Sequence, residues 1–393
     1  MTTTPSGPAF RLDLAGLDTR PAQVWGGVRL VPLVRAEPIE DLRLHQELYE
    51  PEYAAVPVGR RTDYLAYVPH GFVADWAQDG TPAAAYGTRL DAPSAIGATA
   101  PPERIRVRAP RRLAKRESRT RLRFLPLHLA LEGYLALHFG GPTIAWEEWS
   151  DRAVRHGLSP RAEEAYAGDR VRGLADALRV FEIHPGQCGL VVYVADALAA
   201  AFVVPHPDDY RALHRTLLLD LYGELIHHYA LLSAAVPDFR ADLRMAGPVN
   251  SLSELRAAVA GQERAWTDFH DDTMAGGLLD PDYRAREVRR LGRFRLARFL
   301  PEFRPKQENH IGEAITDEHG RLAYLKTFRL SESQVRRGHL LERLAAHQWH
   351  LPSAAASLGL TEPQLGLRIE GAGFASLLRQ DVLDRYRRAA LRY

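Results

Sequence analysis

Two apolar runs, Leu190–Val194 and Leu198–Val204, constrain this chain more than any other feature, because only Ala195-Asp196-Ala197 separates them. Each run has the length of a strand, and neither carries a charge. Together they predict a hairpin buried on at least one face. His206-Pro207-Asp208-Asp209 then supplies a turn and a helix N-cap, and Tyr210–Leu232 reads as a long, strongly apolar helix. A helix of that kind is expected to lie across the sheet at the centre of the core.

Further elements fit around this unit. Residues 24–34 place apolar side chains at Val28, Leu30, Pro32 and Val34, the period-two pattern of a strand. Residues 63–68 and 72–76 flank Pro69-His70-Gly71 and read as two more strands, while 311–315 and 322–328 bracket the turn residues Asp317-Glu318-His319-Gly320. Helices are expected at 159–181, at 251–269, where Ser251 and Glu254 have capping-box spacing, and at 282–300. The last of these would carry Arg284, Arg286, Arg289, Arg290, Arg293, Arg295 and Arg298 on its polar face. The expected fold class is therefore α+β: a mixed or antiparallel sheet with long packed helices in a body over residues 21–335. A loose lead-in over 1–20 precedes it, and a Gly/Pro/Ala-rich loop over 78–102 interrupts it.

A chain of 393 residues can bury a substantial core and suggests about two to three domains. Cys188 is the only cysteine, which rules out an internal disulfide or a multi-cysteine zinc cage and fits a reducing cytoplasm. No apolar run approaches the roughly 18 residues of a membrane-spanning helix, and the first residues lack signal-peptide features, so a cytoplasmic protein is expected. Of 51 cationic residues only Lys115, Lys306 and Lys326 are lysines, a bias resembling that of a GC-rich bacterial genome. Arginine abundance alone is therefore a weak argument for a polyanionic partner, and a net charge of +2 is neutral on that point.

Charge distribution says more. Residues 103–123 hold Arg104, Arg106, Arg108, Arg111, Arg112, Lys115, Arg116, Arg119, Arg121 and Arg123 against Glu103 and Glu117 only. Such an excess either contacts nucleic-acid phosphates or forms a solvated strand edge balanced by acids elsewhere.

The segment from Gly338 to Leu378 is patterned for small packed helices and is expected to form a separate all-α domain over 336–393. Leu340, Leu341, Leu344 and Ala345 make one apolar face. Ser353 is placed to cap a short helix containing Ala354, Ala355 and Leu358, Gly359 makes the turn, and Thr361 caps a helix with Pro363 at its start and Leu365, Leu367 and Ile369 inside. This order resembles the Fis-type helix-turn-helix. The resemblance implies that the Thr361 helix faces the DNA major groove, with Thr361, Glu362, Gln364 and Arg368 at the contact. The chain departs from that family in having Glu362 and Glu370 beside a single Arg368, since carboxylates repel phosphates. Packing or dimerisation therefore stands beside DNA binding as a use for the module. The final helix, 381–393, with Arg385, Arg387, Arg388 and Arg392, either adds backbone contacts or is an ordinary amphipathic cap.

The body also resembles a known family. The stretches VWGGVRLVPLV, EIHPGQCGLVVYVADALAAAFVVPHPDDY and LLLDLYGELIHHYALL, in this order, are similar to proteins with the ARG and rhodanese-phosphatase-superfamily-associated domain. The resemblance implies a setting in bacterial RNA repair, nucleotide-linked stress or conflict systems, without established catalytic residues.

Candidate chemistry is sparse. Asp220, Glu224 and His228 fall at spacings of four along one helix face and can share a divalent metal, although a polar stripe would look the same. His270, Asp271 and Asp272 form a second acidic cluster, which a helix-terminal loop would also produce. His184 with Cys188 suggests a cysteine nucleophile and its base, although a cysteine that opens an apolar strand reads as structural. No GxxxxGKS, GxGxxG or GxSxG motif is present, so common nucleotide-hydrolase and serine-hydrolase classes are disfavoured and no cofactor is expected. The sequence thus leans away from catalysis. It points to a regulatory or accessory protein whose helix-turn-helix binds DNA or RNA or a second copy of the chain. A metal-assisted enzyme acting on nucleotide or RNA ends, and a structural oligomer subunit, are the alternatives.

Overall fold

The computed structural model describes residues 9–45, 181–211 and 249–390, the backbone of short strands between 53 and 123, and scattered positions between 177 and 237. In chain order the first strands are β1 (Ala9–Phe10), β2 (Asp18–Thr19), β3 (Gln23–Trp25) and β4 (Val28–Val34). Next come β5 (Arg43–His45), β6 (Tyr53–Gly59), β7 (Thr62–Tyr67), β8 (Arg89–Asp91), β9 (Arg104–Arg106), β10 (Ala114–Ser118) and β11 (Arg121–Arg123). They form two small sheets, β5-β8-β9 and β11-β10-β7-β6. The rest are β12 (Gln187–Val194), β13 (Ala197–Val203), β14 (Tyr283–Leu291), β15 (Phe294–Leu300), β16 (His310–Thr316) and β17 (Leu322–Arg329).

The main sheet has ten strands in the order β1-β14-β15-β16-β17-β13-β12-β4-β2, with β3 also on β4, and every pair is antiparallel. With the helices below, the fold is α+β. The expected hairpin lies near its middle as β12 and β13, which pair from Gly189↔Val203 to Val194↔Ala197. Its turn is tighter than the sequence suggests. Ala195 and Asp196 both take positive φ, 49° and 59°, so they alone form the two-residue loop. All eight residues of β12 and all seven of β4 are buried, so both faces of the sheet are covered here. That is why Arg29 is buried as well: its Nε donates to Asp196 Oδ1 at 3.1 Å and its Nη2 to the Pro237 carbonyl at 2.8 Å.

The helix expected at 282–300 does not exist. The segment is the β14–β15 hairpin, paired from Arg284↔Leu300 to Leu291↔Phe294, with Gly292-Arg293 as its loop. Gly292 sits at φ 58°, where a residue with a Cβ is strained and glycine is not. Arginines at both two- and four-residue spacing make the stretch ambiguous, but Phe294 and Leu296 on β15 are buried while Arg295 is exposed, and that alternation decides it. The 311–328 hairpin is present as β16 and β17, its turn held by Asp317 Oδ1, which accepts from the amides of His319 and Arg321.

Helix α1 (Leu252–Phe269) begins at Ser251, whose Oγ accepts from the Glu254 amide at 3.1 Å. The Glu254 carboxylate reaches back to the amide of Asn250 rather than to that of Ser251, a variant of the expected capping box. A π-helical turn, His270–Met274, and the short α2 (Gly276–Leu279) continue it. After β17 come α3 (Glu332–Ala346), α4 (Leu351–Ser357), α5 (Glu362–Gly371), a 3-10 turn (Ala375–Leu377) and α6 (Gln380–Ala390). Helix α3 packs two ways: Val335 and Leu341 belong to the body's core, while Leu340 and Leu344 belong to a second core with Ala354, Ala355, Leu365 and Ile369. The boundary expected at residue 336 thus falls inside a continuous helix.

The expected helix at 159–181 is described only at Ala177, Arg179 and Phe181, and the strand at 72–76 lies outside the described residues. Of the helix expected at 210–232, Tyr210, Ile226 and Ala230 are described and buried. Among the described residues no helix is long and apolar enough to cross a membrane.

Candidate nucleic-acid interface

The tail helices are set by local rules. Ser331 and Gln334 form a capping box at the start of α3, and Thr361 and Gln364 form another at the start of α5. Between α4 and α5, the Leu360 amide donates to Ala355 O at 2.9 Å and the Gly359 amide to Ala356 O at 3.1 Å. With Gly359 at φ 64°, this is the Schellman closure that a glycine after the helix end permits. One expectation fails: Ser353 does not cap α4, which starts earlier, at Leu351. His350 occupies the cap position in extended conformation, Pro352 lies in the first turn, and the Ser353 hydroxyl sits 2.7 Å from His350 Nδ1. Proline in the first turn costs no hydrogen bond, so the helix extends back to it.

Ala354 and Ala355, at no more than 1% exposure, let α4 approach closely, and Leu365 and Ile369 of α5 close the core from the other side. This orientation leaves Thr361, Gln364 and Arg368 exposed on the outer face of α5. Gln364 Oε1 accepts from the Thr361 amide at 2.9 Å, which leaves its NH2 group as the outward donor. The Arg368 guanidinium makes no hydrogen bond or ion pair among the described residues.

The two carboxylates that weaken the sequence-level case are turned elsewhere. Glu362 accepts a short hydrogen bond from the Tyr386 hydroxyl of α6, and Glu370 is engaged by Arg387, whose Nη1 also reaches Asp384 at 2.9 Å. Attraction to Glu370 and Asp384 holds the Arg387 guanidinium above its already high ordinary pKa. Helix α6 can lie this close because residue 366 is glycine: a Cβ there would fall 2.2 Å from the Tyr386 ring. These contacts span 17 and 24 residues of sequence, so no local pattern announces them.

The other expected sites fare differently. Arg104 and Arg106 lie on β9, and Lys115 and Arg116 on β10, in separate sheets, so the basic stretch is not one strand. Arg108, Arg111 and Arg112 lie outside the described residues, as do Asp220, Glu224 and His228. Among the described residues no group of three or more His, Cys, Asp or Glu is placed to hold a metal. His270 is not in a loop. It is fully buried, with Nε2 3.0 Å from the Tyr193 hydroxyl and Nδ1 2.7 Å from Asp271 Oδ1. Cys188 is buried with its thiol pushed up to about 11, chiefly by burial, so it is a poor nucleophile. His184 sits beside Gln23 instead.

One arrangement escaped the sequence. Arg298, Glu313 and Lys326 stand directly opposite one another on β15, β16 and β17, all at 3% exposure or less, and the Tyr324 hydroxyl donates to Glu313 Oε1 at 2.9 Å. Glu313 and Lys326, each set among apolar residues of its strand, were the available signal, since charges buried at such cost are kept paired.

Residues 12–292 match the ARPP-2 family model. The chain belongs to the ARPP-2 family. No curated protein and no solved structure matches it. The ARPP-2 match ends at Gly292, in the β14–β15 turn, so β15, β16 and β17 complete the sheet from outside it. The helical tail also lies beyond the ARPP-2 region, and kinship therefore leaves its role to be argued from its own surface.

Proposed function

We propose that this ARPP-2 chain is a cytoplasmic regulatory or accessory protein, in which the α+β body senses a ligand or partner and a C-terminal Fis-type helix-turn-helix engages nucleic acid. The observation that carries this reading is the pairing of Glu362 and Glu370 with α6, which leaves Thr361, Gln364 and Arg368 as a face of donors and positive charge with no outward acid. Such a face suits phosphates and base-edge acceptors, and a guanidinium can take either bidentately. Fluorescence anisotropy with labelled duplex DNA and single-stranded RNA, over a salt series, tests it. Binding should weaken linearly in logarithmic salt concentration as counterions are released, and Arg368→Ala should weaken it further. Absence of binding to either polymer at the lowest salt would overturn the reading.

A further inference from the structure

The charges on tail helices α3 and α5, which share one apolar cluster, are unevenly spent. Helices α3 and α5 carry four carboxylates, and each has a partner: Glu332 with Arg336, Glu342 with Arg284 of β14, Glu362 with Tyr386 and Glu370 with Arg387. Their arginines do not all share that fate. Arg343 and Arg368 are exposed, and neither makes a hydrogen bond, ion pair or ring contact among the described residues.

The core brings these two together. Leu340 and Leu344 of α3 pack in one cluster with Ile369 of α5; the polar sequence neighbours of these residues are His339, Arg343, Arg368 and Glu370, and Glu370 is paired with Arg387. His339 and Arg343 are four residues apart, hence on one face of α3. The half-buried imidazole of His339 feels both guanidinium charges. Its pKa is lowered first by burial and then by Arg343, with Glu342 opposing and Arg368 adding to the effect. Two cations without an ion-pair partner among the described residues, beside a ring that can donate, form the donor set of a phosphate site.

We propose that His339, Arg343 and Arg368 form a single phosphate-binding site, at which α3 and α5 together hold one backbone phosphodiester of a nucleic acid. The proposal rests on the reading above and names where the backbone is gripped. An anion there neutralises both arginines and so favours the protonated ring. Binding therefore takes up a proton at His339 and tightens as pH falls; the charged groups facing the ring are Arg343 and Glu342 from α3 and Arg368 from α5.

Anisotropy titrations of the full chain with duplex DNA and single-stranded RNA, for wild type, Arg343→Ala, Arg368→Ala and the double variant, test the site. Arg304→Ala, which removes an exposed body arginine paired with Glu302, serves as the charge control. Each single variant should weaken binding to all sequences alike. The double variant should lower the salt slope by about one contact, roughly 0.9, rather than two, because both arginines serve the same phosphate. His339→Gln should abolish the tightening seen in wild type between about pH 8 and about pH 6. Wild-type binding with Arg343→Ala indistinguishable from Arg304→Ala would overturn the site and leave the nucleic-acid reading standing. No binding by wild type would overturn that reading itself. A slope loss of about two contacts in the double variant would overturn the single-phosphate geometry.

Discussion

Replacing Gly338 with alanine should destabilise the protein, although alanine is the better helix former. Gly338 lies mid-helix in α3, where alanine over glycine is worth about 1 kcal/mol in an exposed position. A Cβ at this position, however, would lie 2.3, 2.4 and 2.9 Å from three carbons of the Phe303 ring. Phe303 is 1% exposed and cannot swing into solvent. Overpacking of this severity costs about 3 kcal/mol, the upper end of the usual range, so Gly338→Ala should lose about 2 kcal/mol net. Gly261→Ala in α1 is the matched control: nothing lies within 4 Å of its Cβ, and it should gain about 1 kcal/mol. Urea unfolding followed by circular dichroism reads both variants against wild type. The difference between them, about 3 kcal/mol, isolates the clash. If Gly338→Ala proved as stable as Gly261→Ala, the docking of α3 on Phe303 would be refuted.

Other expected outcomes follow from individual polar groups. Tyr193→Phe removes the hydroxyl facing His270 Nε2 and should cost about 1–3 kcal/mol, read as a lower urea midpoint; an unchanged midpoint would show that the contact contributes nothing. Burial pushes the His214 pKa down to about 4 against an opposing backbone hydrogen bond at Phe181, so the unfolded chain takes up the proton first. The stabilisation is complete above about pH 6.5 and is lost as pH falls toward 4, by about 3 kcal/mol at most, and His214→Gln should flatten this slope. Arg387→Ala frees Glu370 beside the outward face of α5 and should weaken nucleic-acid binding without touching Arg368, which anisotropy can measure at fixed salt.

What the sequence revealed tracks how local the causes are. Thr361, Gln364, Pro363 and Gly359 act within a few residues of themselves, so the start of α5 and the turn before it were legible. The central hairpin was legible because its strands carry no charge. The 282–300 segment reads as a helix because its arginines satisfy two periods at once, and only Gly292 marks the turn. The short bonds of Glu362 and Glu370 to α6, and the Arg298-Glu313-Lys326 ladder, depend on tertiary neighbours and register, which no window of sequence contains. His270 looked like a loop residue because its neighbours Asp271 and Asp272 are polar, yet Tyr193, 77 residues away, holds it in the core.

Because α3 runs unbroken from one core into the other, the tail has no swivel. In any assembly of two copies, the separation of their outward α5 faces would be set by the dimensions of the bodies, as by a rigid ruler. A chain with a loose tether tolerates many spacings between paired binding sequences; if two copies bind DNA as the proposed function allows, this one should accept a narrow range and lose affinity when a few base pairs are inserted between them.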